Sequence, residues 1–300
     1  MHATRLLVLL CMPLVALAPA DAVAQNGRPP ALSAEAVLLL DPEGRTLYAK
    51  NADVERAPAS LVKLMSLYLA CEDIEAGKLQ PEELVTVSAN AATTPRYRMG
   101  LRRGEQVPVR VLLEGVAIAS ANDAATALAE HVSGDEASFV ARMNETGRRL
   151  GLADTRFANP HGLPDPQQRS TARDLAALTA RLLRDCPMSR TLLGGQTFIW
   201  RGRVYARHIS LFDDPGGVQA LKTGFTNEAG YNLSVSAWRG GQQFLMILLG
   251  SRTRARSFLD AKRLLWYGFV EAGLEPQPPP ERKKRPPRRP VRTRRARGAR

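Results

Sequence analysis

The sequence predicts a mixed α/β (α+β) protein in which strands from both chain ends share one antiparallel sheet, with a mostly helical stretch inserted between them. Three observations predict it. Residues 34–51 alternate around a turn in strand fashion, and residues 231–249 make a second strand–turn–strand pattern. Nearly everything between has helical periodicity. The 300 residues allow one or two domains with a buried core, and 44% hydrophobic with 24% charged content excludes wholesale disorder. Three cysteines are too few for a disulfide scaffold.

In chain order, residues 1–24 read as a secretory signal. Arg5 supplies the positive start, residues 6–18 form a 13-residue apolar run, and Ala22-Val23-Ala24 is a small-x-small cleavage pattern. Such a run falls short of the roughly 20 residues that span a bilayer. Leu10 precedes Cys11, where a lipoprotein signal has a small residue. The expectation is export to the periplasm or cell envelope, where Cys71 and Cys186 either pair or stay as buried thiols.

Ala36-Val37-Leu38-Leu39-Leu40, the turn Asp41-Pro42-Glu43-Gly44 and Arg45-Thr46-Leu47-Tyr48-Ala49 predict a hairpin. A helix beginning near Ser60 is apolar on all sides (Leu61, Val62, Leu64, Met65, Leu67), which marks it as buried, and Pro58 suits its start. Residues 109–118, 123–132, 136–150 and 171–185 have helical spacing. Thr171 with Asp174 three residues on is a capping-box-like start. Residues 218–225 read as a strand. Residues 231–238 and 243–249 pair across Arg239-Gly240-Gly241, the last run nearly all apolar as a central strand is. An amphipathic helix over 254–272 closes the body.

From residue 276 onward, seven prolines and eleven Lys/Arg face one acid, Glu281, with no apolar period. This predicts a disordered basic tail. The tail carries +10 of the chain's +13, and Arg5 and Asp21 cancel in the leader, so the body, residues 25–275, carries only +3. The basicity therefore points to an anionic membrane or envelope surface met by the tail, and not to nucleic acid.

The chemistry-bearing residues begin at the buried helix. Ser60 and Lys63 are three apart, so their side chains share a face. A serine hydroxyl needs a base to become a nucleophile, and a lysine becomes that base when burial, a second cation or the helix dipole lowers its pKa. Ser-x-x-Lys alone recurs about once by chance in such a chain, so a capping serine with a snorkelling lysine is the plain alternative. Lys222-Thr223-Gly224, ending a strand-like stretch, is rarer. There an ammonium and a hydroxyl hold a carboxylate while glycine admits a ligand's backbone. A phosphate loop is excluded because Leu221 stands where its glycine is required. Ser-x-Asn occurs at Ser88–Asn90 and Ser120–Asn122; Ser120 sits in a break between helices, which projects side chains into a cleft, and is the better candidate. His131, His161 and His208 show neither metal spacing nor a Ser-His-Asp pattern. His161 reads as structural, in a turn between Pro160 and Gly162. No metal or cofactor signature is present.

Ser60-x-x-Lys63, Ser120-x-Asn122 and Lys222-Thr223-Gly224, in that order, resemble the penicillin-recognising serine DD-peptidases. The resemblance extends to Pro58–Met65, Ser120–Ala125, Asn159-Pro160-His161-Gly162-Leu163, Ser170–Asp174 and Lys222–Tyr231, and covers residues 34–270. It points to the low-molecular-mass D-alanyl-D-alanine carboxypeptidases. It implies the DD-peptidase/β-lactamase-like fold, an antiparallel sheet with flanking helices and an all-helical lobe. It further implies that peptidoglycan stem peptides are the substrate and β-lactam antibiotics are covalent inhibitors. Ser60 would form the acyl-enzyme, Lys63 take its proton and Ser120 relay a proton to the leaving D-alanine beside Lys222. Asn122 would bond the substrate backbone, Thr223 of the Lys222-Thr223-Gly224 strand the terminal carboxylate, and the N–H groups of Ser60 and Phe225 the oxyanion. Arg207 matches a family arginine near the carboxylate, although Ala206 and His208 replace its usual asparagine neighbours.

Gln219-Ala220 replaces the Asp-Gly common before that strand. Many relatives carry a second, β-rich domain and a C-terminal membrane helix. Here the body ends near Leu274 and the basic tail stands in their place. Competing expectations are a DD-endopeptidase cutting crosslinks, a β-lactamase and a non-enzymatic envelope-binding protein. The β-lactamase reading lacks its deacylating glutamate, since no glutamate lies between Glu145 and Glu228. The non-enzymatic one leaves three ordered motifs as coincidence.

Overall fold

The computed structural model describes residues 29–213 and 217–275, so the predicted leader and basic tail lie outside the described residues. The strands are β1 (Ala36–Leu40), β2 (Thr46–Lys50), β3 (Leu84–Thr86), β4 (Gln106–Pro108), β5 (Thr197–Trp200), β6 (Arg203–Ala206), β7 (Val218–Thr226), β8 (Gly230–Arg239) and β9 (Gln242–Ser251). The helices are α1 (Lys63–Glu75), α2 (Ala89–Thr93), α3 (Val109–Glu114), α4 (Asn122–Ser133), α5 (Glu136–Arg149), α6 (Ala172–Asp185), α7 (Met188–Gly194) and α8 (Arg254–Glu271).

Strands from both chain ends do share one sheet, in the order β2-β1-β9-β8-β7, with every neighbour antiparallel. Its central strands obey the period of two. Ala36 and Leu38 of β1 with Leu245, Ile247 and Leu249 of β9 face one core, shared with α1, α4 and α6. Val37, Leu39, Phe244, Met246 and Leu248 face the other, closed by Ala261, Leu264 and Leu265 of α8. This two-sided burial explains why β9 is an unbroken apolar run. β7 is left at the sheet's edge.

The inserted stretch departs from uniform helix in three places. Two small hairpins, β3–β4 and β5–β6, interrupt it. The single helix predicted over 109–118 is α3 followed by a π turn, Gly115–Ala119. In that wide turn the Gly115 carbonyl accepts from the N–H groups of both Ser120 and Ala121, and the chain leaves through Ser120 in the left-handed region, φ 54°. Thr171 caps α6 through the Asp174 N–H at 3.0 Å, while the Asp174 carboxylate turns instead to the Asp154 N–H and the Thr155 hydroxyl. Of the two fates open to the cysteines, the structure has the pair. Cys71 of α1 and Cys186 after α6 are disulfide-bonded across a separation of 115 residues, with Cα atoms 6.0 Å apart. A closure of that length stabilises by about 4–5 kcal/mol in the chain-entropy account.

Candidate active site

Ser60 lies in a 3-10 turn, Ala59–Val62, that leads into α1. One helical turn on, the Lys63 side chain is fully buried in the core that makes α1 apolar all round. Its Nζ stands 3.2 Å from Ser60 Oγ, 2.7 Å from Asn122 Oδ1 and in contact with the His161 carbonyl oxygen. Asn122 Nδ2 donates to the Pro95 carbonyl at 2.9 Å, which fixes the amide orientation and leaves Oδ1 toward the lysine. Two of the three lysine contacts are thus acceptors only. The third is a hydroxyl that is able to donate, so the set suits a neutral amine whose lone pair faces Ser60. Burial pulls the Lys63 amine down to about 7, with the Asp123 carboxylate opposing.

The turn bearing Ser60 is held from behind by the 159–163 loop. Gly162 has φ +87°, and an added Cβ would lie 2.2 Å from the Ala59 carbonyl oxygen and 2.8 Å from Ser60 N. No side chain fits there. Ser66 of α1 donates to the Pro160 carbonyl at 2.7 Å, and Asn159 Oδ1 accepts from the Gly162 N–H at 2.7 Å. The predicted structural role of His161 holds for its ring: Nδ1 accepts from the Leu163 N–H, and burial with the Lys63 cation pushes the imidazole down to about 3. Its carbonyl, on Lys63, had no sequence signal.

Ser120 faces the second lysine. The left-handed turn after Ala119 aims its hydroxyl at Lys222 Nζ, 2.8 Å away. Lys222 is also buried. Burial, then repulsion from Lys63 in its protonated form and from the Arg207 cation, hold its amine well below the usual range. Ser88, the rejected alternative, caps α2 through the Ala91 N–H.

β7 approaches Ser60 closely because residue 224 is glycine: a Cβ there would meet Pro58 O and Ser60 N at 3.1 Å each. Thr223 and Phe225 then line the same cleft as Ser60 and Ser120, a space of about 410 Å³ that also includes Tyr97, Tyr231 and Phe258. Phe225 packs on Tyr231 with ring centroids 4.3 Å apart.

Two residues behave differently from expectation. Asn122 is committed to Lys63 and Pro95 rather than left open toward the cleft. Arg207 lines the cleft, yet four of its N–H donors go to the backbone carbonyls of Gly195, Ala117, Leu221 and Leu193. It thereby ties the π turn before Ser120 to the residue preceding Lys222. Burial lowers its pKa only to about 10, so it remains a cation. Sequence reasoning also missed Asp123, fully buried, whose carboxylate accepts from the N–H groups of Met99, Gly100 and Leu101 at 2.8–3.1 Å. Its only signal was a charge next to Asn122.

Comparison with known proteins identifies the family. The family model described as D-alanyl-D-alanine carboxypeptidase (peptidase family S11) matches residues 23–253. The D-alanyl-D-alanine carboxypeptidase DacA of Escherichia coli K12 is 38% identical over 248 residues, 80% of this chain and 62% of that protein. The chain therefore spans less than two thirds of that relative's length. A D-alanyl-D-alanine endopeptidase of Pseudomonas aeruginosa is 29% identical over 74% of this chain and 72% of its own. The crystal structure of penicillin binding protein 5 from Haemophilus influenzae superposes with a TM-score of 0.78 at 35% identity, covering 81% of this chain and 72% of that one. With its sheet drawn from both chain ends and its three motifs gathered in one cleft, the chain belongs to the D-alanyl-D-alanine carboxypeptidase family.

Proposed function

We propose that the protein is a serine D-alanyl-D-alanine carboxypeptidase that removes the terminal D-alanine from peptidoglycan stem pentapeptides. The observation that carries this is Lys63 Nζ, buried 3.2 Å from Ser60 Oγ and held by two obligate acceptors. Ser60 Oγ attacks the carbonyl carbon between the two D-alanines, and its proton passes to Lys63. The developing oxyanion sits between the N–H groups of Ser60 and Phe225, each donor of this kind contributing about 3–4 kcal/mol in acyl transfer. Ser120, with Lys222 behind it, delivers a proton to the leaving amine, and Thr223 receives the terminal carboxylate. Water then hydrolyses the Ser60 ester. Penicillins acylate the same serine. Arg207 acts by holding the Ser120 turn against β7.

Incubation with a pentapeptide muropeptide and with a crosslinked dimer tests the reading. Free D-alanine from the first is expected. Monomers from the second without D-alanine would overturn it in favour of an endopeptidase. We place the enzyme outside the cytoplasm, exported to the periplasm or envelope, with residues 276–300 holding it on anionic lipid at about 1 kcal/mol per basic residue near the surface. Deleting them is expected to abolish salt-sensitive binding to anionic vesicles and spare turnover; unchanged binding would refute the role.

A further inference from the structure

The body carries only +3, yet six of its arginines lie in two segments that also supply the cleft-lining residues Tyr97 and Ala206. Residues 94–104 hold Arg96, Arg98, Arg102 and Arg103 and no acid, and the β5–β6 hairpin adds Arg201 and Arg203. All six are exposed. The two segments form one surface. The Met99 carbonyl accepts from Arg203 and from the Tyr205 hydroxyl, at 3.3 and 2.9 Å. The Glu105 side chain, 7% exposed, bonds Arg201, the Trp200 indole and the Arg102 N–H. With Glu105 so consumed, Arg96, Arg98, Arg102 and Arg103 have no acidic partner among the described residues.

The surface is also fixed to the reacting groups. The first residue of α4, Asn122, donates its N–H to the Tyr97 carbonyl at 2.7 Å and its Nδ2 to Pro95, while Asp123 holds residues 99–101. Tyr97 lines the cleft with Ser60. A single-sign rim held rigid at a cleft mouth concentrates oppositely charged ligand. In the proposed acyl-enzyme the peptide's upstream residues stay joined to Ser60, in the cleft that Tyr97 lines.

We propose that this arginine rim is a binding subsite for carboxylates upstream of the scissile bond, so that the enzyme selects acidic stem peptides over amidated ones. The inference rests on the carboxypeptidase reading for its substrate, and binding measurements separate the two. In a Ser60→Ala background, two peptides ending in D-Ala-D-Ala are titrated, one with its upstream carboxylates free and one with them amidated. The free-acid peptide is expected to bind roughly three- to tenfold tighter at low salt, the sum of a few exposed ion pairs. The preference is expected to shrink as salt rises and to fall by at least half in Arg96→Asn/Arg102→Gln/Arg103→Gln, where Asn keeps the left-handed backbone at residue 96, φ 57°. Penicillin labelling of the same triple variant with Ser60 restored reports that it is folded.

Equal affinity for the two peptides would overturn the subsite. So would a preference that is undiminished in the triple variant. Equal affinity together with loss of anionic-vesicle binding in that variant would give the rim to a surface instead. Failure of the Ser60 enzyme to release D-alanine from either peptide, with the binding preference intact, would overturn the carboxypeptidase reading alone.

Discussion

Gly162→Ala isolates the contact between the 159–163 loop and the Ala59–Ser60 backbone. Two costs add. A non-glycine residue in the left-handed region costs about 1–2 kcal/mol, and φ at 162 is +87°. The new Cβ would also sit 2.2 Å from the Ala59 carbonyl oxygen and 2.5 Å from its carbon. Those are backbone atoms, so no rotamer relieves the overlap, and overpacking costs about 1–3 kcal/mol more. The expected destabilisation is about 2–5 kcal/mol, a fall in Tm of about 4–20 °C for a domain of this size. Gly151→Ala is the control: its φ is +77° but nothing lies within 4 Å of the added Cβ. It should lose only the first 1–2 kcal/mol. Relief in the Gly162→Ala variant requires the loop to withdraw by about 1 Å, taking the His161 carbonyl from Lys63 and disturbing the Ser60 N–H. Displacements of that size cost about a hundredfold in rate. Thermal unfolding and stopped-flow acylation by a fluorescent penicillin read both effects. Equal Tm values for the two variants would refute the packing argument. A lowered Tm with wild-type acylation per folded molecule would refute the catalytic one.

Three further outcomes follow from the buried basic groups. The proposed mechanism needs the neutral form of Lys63, whose pKa burial lowers to about 7, so the acylation rate is expected to fall tenfold per unit as pH drops below that value. Since the unfolded chain holds the Lys63 proton up to its ordinary 10.5, stability should rise with pH between about 7 and 10.5; a pH-independent acylation rate from 5 to 9 would contradict the base assignment. Arg207→Gln is expected to slow acylation equally for peptides with a free and with an amidated C-terminal carboxylate. Its donors hold the π turn and β7, so a loss confined to the free acid would show instead that it grips the substrate.

What the sequence made legible was local or periodic. The alternation of β1, the apolar run of β9 and their turn residues gave the hairpins. That both ends meet in one sheet followed from those strands needing partners. Ser60 and Lys63 were legible because a helical spacing of three puts them on one face without help from the rest of the fold. Illegible features depend on residues far apart in the chain. Asn122 meets Lys63 across 59 positions with no signal in the spacing, Lys222 beside Ser120 across 102 came only from the family resemblance, and the Cys71–Cys186 pair across 115 was one of two open alternatives. The π turn replaced the end of a predicted helix because periodicity cannot register one extra residue in a turn. Arg207 was assigned to a carboxylate from its place in the chain, whereas its partners are carbonyls brought together by α7, β7 and the π turn. The 95–104 loop carries no periodic signal in the sequence, and it is a fixed wall because Asp123 holds its amides.

The central claim is that Ser60 is the nucleophile and Lys63 its base. Mass spectrometry of the intact protein after brief exposure to a penicillin, followed by peptide mapping, tests it most directly. The account predicts one adduct per molecule, on the peptide bearing Ser60, and none in Ser60→Ala. An adduct mapped to another residue, or undiminished labelling of Ser60→Ala, would contradict it.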